Sequence, residues 1–369
     1  MIENDFLPSK YTSLKQTGTI RWKSPSNIAL VKYWGKRDNQ IPANPSLSFT
    51  LDACVTDTTV TYRKLKGETT PPTPDADGFR FDLLFGGESR HDFRPKIATF
   101  FKRIEKFLPF LREYHLRIET SNSFPHSSGI ASSASGMSAL ALCLMSMERE
   151  FVSEMDDNFF KKKASFLARL GSGSACRSIE GPLVQWGSHS DIDGSSDFYG
   201  IPYPYKIHEN FTNFQDTILL VDEGQKQVSS SVGHDLMHGH PFADQRFEHA
   251  YSHLSELRSV LAEGNLRQFI KITESEALTL HAMMMTSHPY FMLMKPNTLE
   301  IIDRIWEFRK ASATNVCFTL DAGANVHVLY PEEETQTVYG FIKDELLQYC
   351  ENGKHIRDRT GFGARKIKA

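Results

Sequence analysis

Apolar and polar positions along the chain repeat with two different spacings, which predict strands and helices respectively. The segment YHLRIETSNSFP alternates Leu116, Ile118 and Thr120 with polar residues, as a half-buried strand does. Further strands are predicted in IALV, VTDTTVTYRKL, FRFDLLFGG, FQDTILLVD and the pair NVCFTLDAG and NVHVLY. Helices are predicted in RPKIATFFKRIEKFLPFL, MSALALCLMSMERE, DNFFKKKASFLARL, FEHAYSHLSELRSVLAEG, LRQFIKITESEALTLHAMMM and VYGFIKDELLQYC. Because these elements lack the regular strand–helix period of a barrel, we predict an α+β fold in two layers.

The size of the chain favours two domains. Its 369 residues, 40% hydrophobic and 24% charged, are typical of a globular protein that buries one large core or two moderate ones. The segment HSDIDGSSDFYGIPYPYK is rich in Asp, Gly, Ser and Pro and marks the junction, so we predict domains at residues 1–210 and 211–369. The segment KGETTPPTPDADG at residues 66–78 is predicted as an exposed loop or insertion.

Charge and cysteine content argue against several classes of protein. The formal charge of −3 gives no overall attraction to nucleic acid or to an anionic membrane. The polar N-terminal segment is unlike a signal peptide, and no apolar run approaches the roughly 20 residues of a membrane span, so we expect a cytoplasmic location. Five widely spaced cysteines without a C-x-x-C pair are expected to be reduced and mostly buried. His234, His238 and His240 are interpreted as surface residues rather than zinc ligands.

The segment PHSSGIASSASG, residues 125–136, places five serines and two glycines between a predicted strand and a predicted helix. Gly129 permits close backbone approach, and Ser132 and Ser133 fall where the helix begins. Free N–H groups and hydroxyls can therefore converge on an anion. Neither a Walker loop nor a dinucleotide fingerprint is present. A capped helix after a solvated turn would have the same composition, so on these residues alone both interpretations stay open.

A second serine–glycine turn, GSGSACRSIEG, adds a positive charge. Ser172 and Ser174 offer hydroxyls, Gly173 keeps the backbone accessible, and the Arg177 guanidinium suits a carboxylate or phosphate. The alternative is an ordinary helix boundary with a surface arginine. Two such turns in one chain favour anion binding over that alternative.

Two further segments carry charged groups at predicted strand ends. In SPSNIALVKYWGKRD, Lys32, Tyr33 and Lys36 follow the apolar strand IALV and could bind a polyanion, although a basic strand end is common. In CFTLDAGANVHVLY, Asp321 is followed by small residues and is well placed to meet a substrate. A turn aspartate that bonds its own backbone is the alternative for Asp321.

Taken in order, these segments resemble the mevalonate diphosphate decarboxylase family of the GHMP kinase superfamily. The similarity is carried by SPSNIALVKYWGKRD, IPANPSLSFTL, FPHSSGIASSASG, LARLGSGSACRS, KQVSSSVGH and FTLDAGANVHVLY, from near residue 20 to near residue 330. KYWGKRD and GSGSACRS are the most specific of these, and they distinguish this family from the sugar kinases of the superfamily. The chain departs from the family at PHSSG, where Pro-Thr-Ala-Ala-Gly is usual, and at Ser231, where relatives often carry Thr or Arg.

The resemblance implies a two-domain GHMP-kinase-like fold with the active site in a cleft between the domains, usually in a homodimer. It implies that the chain uses ATP and Mg2+ to convert (R)-5-diphosphomevalonate to isopentenyl diphosphate, carbon dioxide, phosphate and ADP in isoprenoid biosynthesis. Hydroxide is a poor leaving group, so phosphorylation of the tertiary 3-hydroxyl would create the leaving group that this decarboxylation needs.

The resemblance also assigns roles by position. Asp321 matches the aspartate that accepts or orients the 3-hydroxyl proton, Arg177 the arginine that holds the C1 carboxylate, and Lys32 a lysine beside the transferring phosphoryl group. The positions that match substrate-binding residues are Tyr33, Lys36, Ser172, Ser174 and Ser230. The positions that match ATP-binding residues are Gly129, Ser132 and Ser133, with Ser133 also matched to Mg2+.

Three alternatives stay open: a decarboxylase of the monophosphate substrate, a mevalonate 3-kinase, and a nucleotide-binding regulator without turnover. The joint presence of Asp321, Arg177 and Lys32 favours coupled decarboxylation over the kinase and the regulator. Tyr33 and Lys36 favour the diphosphate over the monophosphate.

Overall fold

The computed structural model describes residues 1–8, 10–65, 78–125, 130–224 and 230–368, without the side chains of residues 230 and 231. The strands are β1 (Thr17–Val31), β2 (Lys36–Arg37), β3 (Ile41–Pro42), β4 (Ser46–Lys64), β5 (Arg80–Phe85), β6 (Glu88–Ser89), β7 (Tyr114–Asn122), β8 (Leu183–Trp186), β9 (Ile201–Pro202), β10 (Gln215–Leu219), β11 (Cys317–Leu320), β12 (Val326–Tyr330), β13 (His355–Arg359) and β14 (Arg365–Ile367). The helices are α1 (Arg94–Ile104), α2 (Ser132–Phe151), α3 (Asp157–Gly171), α4 (Ser230–Asp235), α5 (Ala243–Glu263), α6 (Leu266–Thr286), α7 (Pro296–Ser312) and α8 (Thr335–Phe341). A short 3-10 helix, Gly173–Ser178, follows α3.

The predicted strands and helices are present, with several corrections at the helix level. The helix predicted in RPKIATFFKRIEKFLPFL ends at Ile104, and a 3-10 helix, Pro109–Glu113, follows it. Helix α4 was not predicted. The last helix does not run unbroken to Cys350: α8 ends at Phe341, and a π-helical turn, Ile342–Leu346, follows it. Helix α7 was not predicted, although Ile301, Ile302 and Ile305 are buried on one side of it. The predicted loop at residues 66–78 lies outside the described residues except for its last position.

Eight strands form the first sheet, in the order β14–β1–β4–β7–β5–β6, with β8 on β4 and β9 on β8. Its long central pair, β1 and β4, is antiparallel from Thr17 opposite Arg63 to Val31 opposite Leu47. Helix α2 packs against both of these strands and against α3. Because α2 is buried on almost every side, apolar residues occupy most positions from Met137 to Met147 rather than one face alone.

Four antiparallel strands form the second sheet, in the order β11–β12–β10–β13. Helices α6 and α7 pack against β11. Ile301, Ile305, Phe318 and Val328 belong to the core that these elements share. Helix α6 also contacts β1 of the first sheet. The C-terminal helices therefore reach the strand that leads into residues 32–36, the KYWGK segment.

The last residues of the chain connect the two sheets. Strand β13 pairs with β10 in the second sheet, and β14 then returns to pair with β1 in the first. The Asp358 carboxylate accepts three backbone N–H groups, from Asp52, Ala53 and Cys54, at 2.7 to 2.9 Å. The division of the chain near residue 210 stays a prediction, and the topology places β14 in the first sheet rather than with its neighbours in sequence.

The five cysteines are free and buried, as predicted. Over the described ranges, no helix has the length and apolar character needed to cross a membrane.

Candidate active site

Lys32 and Asp321 approach each other from the two halves of the chain. Lys32 directly follows β1 and Asp321 directly follows β11, so each lies where a regular strand ends. Lys32 Nζ is 3.7 Å from Asp321 Oδ1. The lysine side chain is 1% exposed and the aspartate side chain 31% exposed. The pair therefore has a buried cation on its inner side and a carboxylate that a ligand can reach.

The Lys32 ammonium has no hydrogen-bond partner among the described residues. Burial lowers the pKa of Lys32 to about 8, an effect that Asp321 and Glu276 oppose and that the Arg177 guanidinium reinforces. Because a buried ammonium without hydrogen bonds is costly, its unused donors suit an anion that enters beside Asp321.

Arg177 supplies a second buried cation, carried by the 3-10 helix Gly173–Ser178. Its Nη1 donates to Ser46 Oγ at 2.5 Å, and its Nε donates to Asn27 Oδ1 at 3.3 Å. The guanidinium carbon lies 5.7 Å from the centre of the Trp186 ring. Burial lowers the pKa of Arg177, but a guanidinium stays charged in proteins. Because both hydrogen-bond acceptors are neutral, its charge remains available to a carboxylate or a phosphate.

Tyr33 places a polar group without a partner next to the same turn. Its hydroxyl is buried and has no hydrogen-bond partner among the described residues, and burial raises its pKa. The ring packs edge-on against Trp186 at 4.7 Å between centroids. A Cβ built on Gly173 would lie 2.8 Å from the Tyr33 hydroxyl oxygen, so a glycine is what allows the turn to approach Tyr33 this closely.

Ser172 and Ser174 lie on the turn that carries Arg177. The Ser172 N–H donates to the Ala168 carbonyl at 3.0 Å and closes α3. The Ser174 carbonyl accepts from Asn27 Nδ2 at 3.2 Å. Both serines are partly exposed, so their hydroxyls are accessible beside Tyr33 and Arg177.

Helix α4 is held against the KYWGK segment. Lys36 Nζ is 3.3 Å from Asp235 Oδ1. The Gly35 N–H donates to His234 Nδ1 at 3.0 Å, and Gly35 has a φ of +97°, which favours glycine. Ser230 is the first residue of α4, and its side chain lies outside the described part, so its role stays a prediction.

The interpretation of three histidines as surface residues is wrong for two of them. His234 and His240 are buried, whereas His238 is exposed. The His234 ring packs on Tyr33 and Trp34, with centroids 4.3 and 4.6 Å apart. Burial, reinforced by nearby Lys36 and Arg177, lowers the pKa of His234 to about 3, so this imidazole is neutral at physiological pH. Nothing in the local sequence indicates that α4 folds back onto these aromatic rings.

The other predicted anion site lies at the start of α2. This 20-residue helix begins at Ser132, as predicted. The Ala134 N–H in its first turn already donates to the Ala131 carbonyl at 2.8 Å, which leaves the N–H groups of Ser132 and Ser133 as the donors at the helix start. Lys96 is an exposed residue of α1, and its Nζ donates to Ser133 Oγ at 2.8 Å. A cavity opens here, lined by residues that include Thr56, Thr58, Phe85, Phe93, Lys96, Thr120, Asn122, Ser132, Ser133 and Met137. Gly129 and residues 126–128 lie outside the described residues.

Strand β1 contacts both of these places. Ser26 Oγ donates to the Ile130 carbonyl at 2.6 Å, just before α2 begins. Its neighbour Asn27 contacts Arg177 and Ser174, and Lys32 stands at the end of the same strand. Residues of β1 thus connect the start of α2 with the Lys32–Asp321 pair.

Sequence reasoning missed four residues of this region. Lys96 reads as one of several basic residues on the solvated side of an amphipathic helix. Glu276 and Arg246 form a buried ion pair beside Lys32, and the His281 Nε2 lies 3.1 Å from the Asp321 carbonyl oxygen. An acidic residue inside the apolar segment ESEALTLHAMMM was the one available signal for Glu276.

Two family models match the chain. The diphosphomevalonate decarboxylase-like N-terminal domain covers residues 24–198, and the mevalonate 5-diphosphate decarboxylase C-terminal domain covers residues 217–364. A curated relative, the diphosphomevalonate decarboxylase of Ganoderma lucidum, is 28% identical over 94% of this chain and 86% of its own.

Solved structures give the same result. The mevalonate diphosphate decarboxylase of Staphylococcus aureus superposes with a TM-score of 0.79 at 26% identity, covering 95% of this chain and 98% of its own. A complex described as MDDEF with MVAPP, AMPPCP and magnesium also has a TM-score of 0.79 at 26% identity, covering 96% of this chain and all of its own. The fold, together with the charged residues around the Lys32–Asp321 pair (the Lys32–Asp321 junction), thus defines a two-domain α+β enzyme with the GHMP-kinase-like fold. The chain belongs to the diphosphomevalonate decarboxylase family.

Proposed function

We propose that this chain decarboxylates (R)-5-diphosphomevalonate in an ATP-dependent reaction at the Lys32–Asp321 junction. The observation that carries the proposal is the meeting of a buried lysine, a buried arginine and a partly exposed aspartate where the two sheets' elements touch. This charge set suits a substrate with a hydroxyl, a carboxylate and phosphates, and family membership supports the same activity.

The reaction balances without an oxidant or reductant. The 3-hydroxyl oxygen forms a bond to the γ-phosphorus of ATP as the bond to the β-phosphate oxygen breaks, and ADP leaves. The C3–O bond of the phosphorylated intermediate then breaks, and phosphate leaves with the electron pair. The electrons of the C1–C2 bond form the C2–C3 double bond, and carbon dioxide is released.

Asp321, Lys32 and Arg177 have different roles in this reaction. Asp321, as the reachable carboxylate, orients the 3-hydroxyl and accepts its proton. Lys32, whose ammonium donates to no residue in the described part of the chain, neutralises charge on the transferring phosphoryl group. Arg177 holds the C1 carboxylate through its planar guanidinium, which keeps that carboxylate in place until the C1–C2 bond breaks.

We place the substrate diphosphate between the KYWGK segment and the turn that follows α3. Tyr33 offers a buried hydroxyl that no described residue binds, and Ser172 and Ser174 are accessible on the facing turn. Lys36 is ion-paired with Asp235, so an incoming phosphate would compete for it. Ser230 completes the proposed substrate set by its match to the family.

We place the ATP phosphates at the start of α2. The donors that a triphosphate needs are supplied by the N–H groups and hydroxyls of Ser132 and Ser133 and by the ammonium of Lys96. Gly129 belongs to this set by its match to the family. Mg2+ binds oxygen ligands and takes most of them from phosphates and water. Ser133 would supply one hydroxyl once the Lys96 ammonium, which donates to that oxygen, has moved to a phosphate oxygen. Bound there, the metal ion would neutralise charge on the phosphates. The Lys96 contact to Ser133 is the observation that favours phosphate at this hydroxyl.

The variant Asp321→Asn tests the assigned chemistry. We expect turnover to fall by about 100-fold or more, because the amide cannot accept the hydroxyl proton. ATP binding should stay within twofold of the wild type, because the α2 site is separate. ADP and carbon dioxide should be followed together with nucleotide titration.

The matched control is Asp57→Asn, which also removes a carboxylate that pairs with a basic side chain, Arg21, but outside the site. Near-normal turnover by Asp321→Asn, or an equal loss in both variants, would contradict the role of Asp321.

We also propose a homodimer in the cytoplasm, supported by the resemblance to a family that is usually dimeric. Sedimentation of the purified chain should give about twice the 41.9 kDa chain mass. A monomer at micromolar concentration would contradict the dimer.

A further inference from the structure

The backbone of Lys32 is held by side chains from the C-terminal helices. Its N–H donates to Glu276 Oε2 of α6 at 2.8 Å. Its carbonyl accepts from Arg246 Nη2 of α5 at 3.3 Å and from Asn44 Nδ2 at 2.8 Å. The backbone N–H and carbonyl of Lys32 are therefore both hydrogen-bonded. Helix α6 supplies an acceptor and helix α5 a donor, and neither helix belongs to the sheet that contains β1.

Glu276 is itself fixed on several sides. Arg246 reaches both of its oxygens, at 3.2 and 2.6 Å, and His253 Nδ1 is 2.7 Å from Oε1. The side chains of Arg246 and Glu276 are fully buried. Although burial favours the neutral acid, Arg246 and the hydrogen bonds from His253 and the Lys32 N–H hold the pKa of Glu276 below its usual range. Glu276 is therefore a fixed negative charge.

The position of this charge matters because Lys32 is buried. The groups that face Lys32 are Asp321 from the β11–β12 turn, Arg177 from the 3-10 helix, Glu276 and His281 from α6, and Arg246 from α5. His253 of α5 contacts Glu276 behind them. Of these, Asp321 and Glu276 favour the protonated lysine. Asp321 is the group that must exchange protons with the substrate. Glu276 is thus the constant counter-charge.

We propose that Glu276, fixed by Arg246, is a positioning residue that aims Lys32 at the transferring phosphoryl group and keeps its ammonium protonated during turnover. The proposal rests on the catalytic role assigned to Lys32 above. It adds a requirement from a residue that contacts neither substrate.

The same region could be read as a metal site, because ligand atoms of His249, His253 and Glu276 lie within 4.8 Å of one another. Arg246 argues against that reading. Its guanidinium already contacts both Glu276 oxygens, and a divalent cation would have to displace it or share the carboxylate with it. The geometry favours the positioning role.

The test compares Glu276→Gln with Glu274→Gln. Glu274 lies two residues away on α6, is also largely buried, and forms an ion pair with Arg309 that faces away from Lys32. For Glu276→Gln we expect kcat to fall by about tenfold or more while the KM for ATP stays within threefold. The neutral amide no longer supports the Lys32 ammonium. The alkaline limb of the pH–activity profile should therefore shift to lower pH by at least about half a unit. The kcat of Glu274→Gln should stay within twofold of the wild type, and its alkaline limb should lie at the same pH as in the wild type.

A second variant keeps the test decisive if Glu276→Gln does not fold. The double variant Glu276→Gln with Arg246→Met leaves no unpaired guanidinium. It should displace the alkaline limb in the same direction but by less, because it also removes the positive charge of Arg246 beside Lys32. A pH limb at the wild-type position in either Glu276 variant would overturn the proposal. A wild-type protein without decarboxylase activity would instead overturn the proposed function, so the two failures are distinguishable.

Discussion

Fold stability and chemistry make opposite demands on Lys32. Its ammonium is buried and has no hydrogen bond to any described residue, and burial lowers its pKa from 10.5 to about 8. Between these two values the unfolded chain binds more protons than the folded chain, so the free energy of unfolding rises with pH in that window. Below about pH 8 the buried ammonium lowers the free energy of unfolding by its full amount. At neutral pH the penalty is on the order of 3 kcal/mol. A protein that keeps such a group gains something other than stability from it.

Lys32→Met should therefore stabilise the protein and inactivate it. At pH 7 we expect a higher thermal midpoint than in the wild type, and the difference should shrink as the pH rises from 8 towards 10.5. Turnover should fall by about 100-fold or more because the phosphoryl group loses its neighbouring cation. Calorimetry at several pH values and the turnover assay measure the two effects.

Lys23→Met is the matched control, because Lys23 lies on the same strand, pairs with Asp57 and is 31% exposed. It should change neither quantity appreciably. A lower thermal midpoint for Lys32→Met, or retained turnover, would show that Lys32 does not have the role assigned to it.

At the level of elements, the turn after α3 determines the shape of the substrate side. The 3-10 helix Gly173–Ser178 brings Arg177 inward, and Gly173 lets Tyr33 approach the turn. The approach is close enough that one added carbon would displace the Tyr33 ring or the turn. This explains why the sequence GSGSACRS combines small residues with an arginine.

Gly173→Ala should weaken substrate binding. The added methyl would lie 2.8 Å from the Tyr33 hydroxyl and 3.0 Å from the Trp186 ring, so these buried groups must move. We expect the KM for diphosphomevalonate to rise about tenfold or more, with a smaller effect on the KM for ATP. Steady-state kinetics with each substrate varied in turn measures both.

Gly340→Ala is the control, since nothing lies within 4 Å of a Cβ at that position in α8 and alanine favours a helix. It should leave both KM values unchanged and slightly stabilise the protein. Equal KM values for diphosphomevalonate in Gly173→Ala and the wild type would mean that the turn tolerates the methyl and does not shape the site.

The elements were predictable where local pattern decides them. The alternation in β7 and the apolar length of α2 are visible in the sequence, and so is the helix start at Ser132. The break of the last helix after Phe341 was not predictable, because FIKDELLQYC has ordinary helix-forming composition and contains no Gly or Pro that would mark a π-helical turn. Contacts between distant residues, such as Glu276 with Lys32 across 244 positions, leave no local pattern at all.

At the scale of the whole molecule, the site requires both halves of the chain. Lys32 and Arg177 come from the first half, while Asp321, Glu276 and Arg246 come from the second. Strand β14 returns to the first sheet after β13, and Asp358 binds the backbone at residues 52–54, so the two sheets are connected close to the chain's end. The motifs identified the charged residues, but their meeting depends on this topology.

The most direct measurement is the stoichiometry of ADP and carbon dioxide. The purified chain should be incubated with ATP, Mg2+ and mevalonate, its 5-phosphate or its 5-diphosphate in separate reactions. We predict one carbon dioxide per ADP with the 5-diphosphate and at least about tenfold lower turnover with the other two. ADP without carbon dioxide would indicate a kinase, preference for the 5-phosphate would indicate the monophosphate decarboxylase, and neither product from any substrate would contradict catalysis at the Lys32–Asp321 junction.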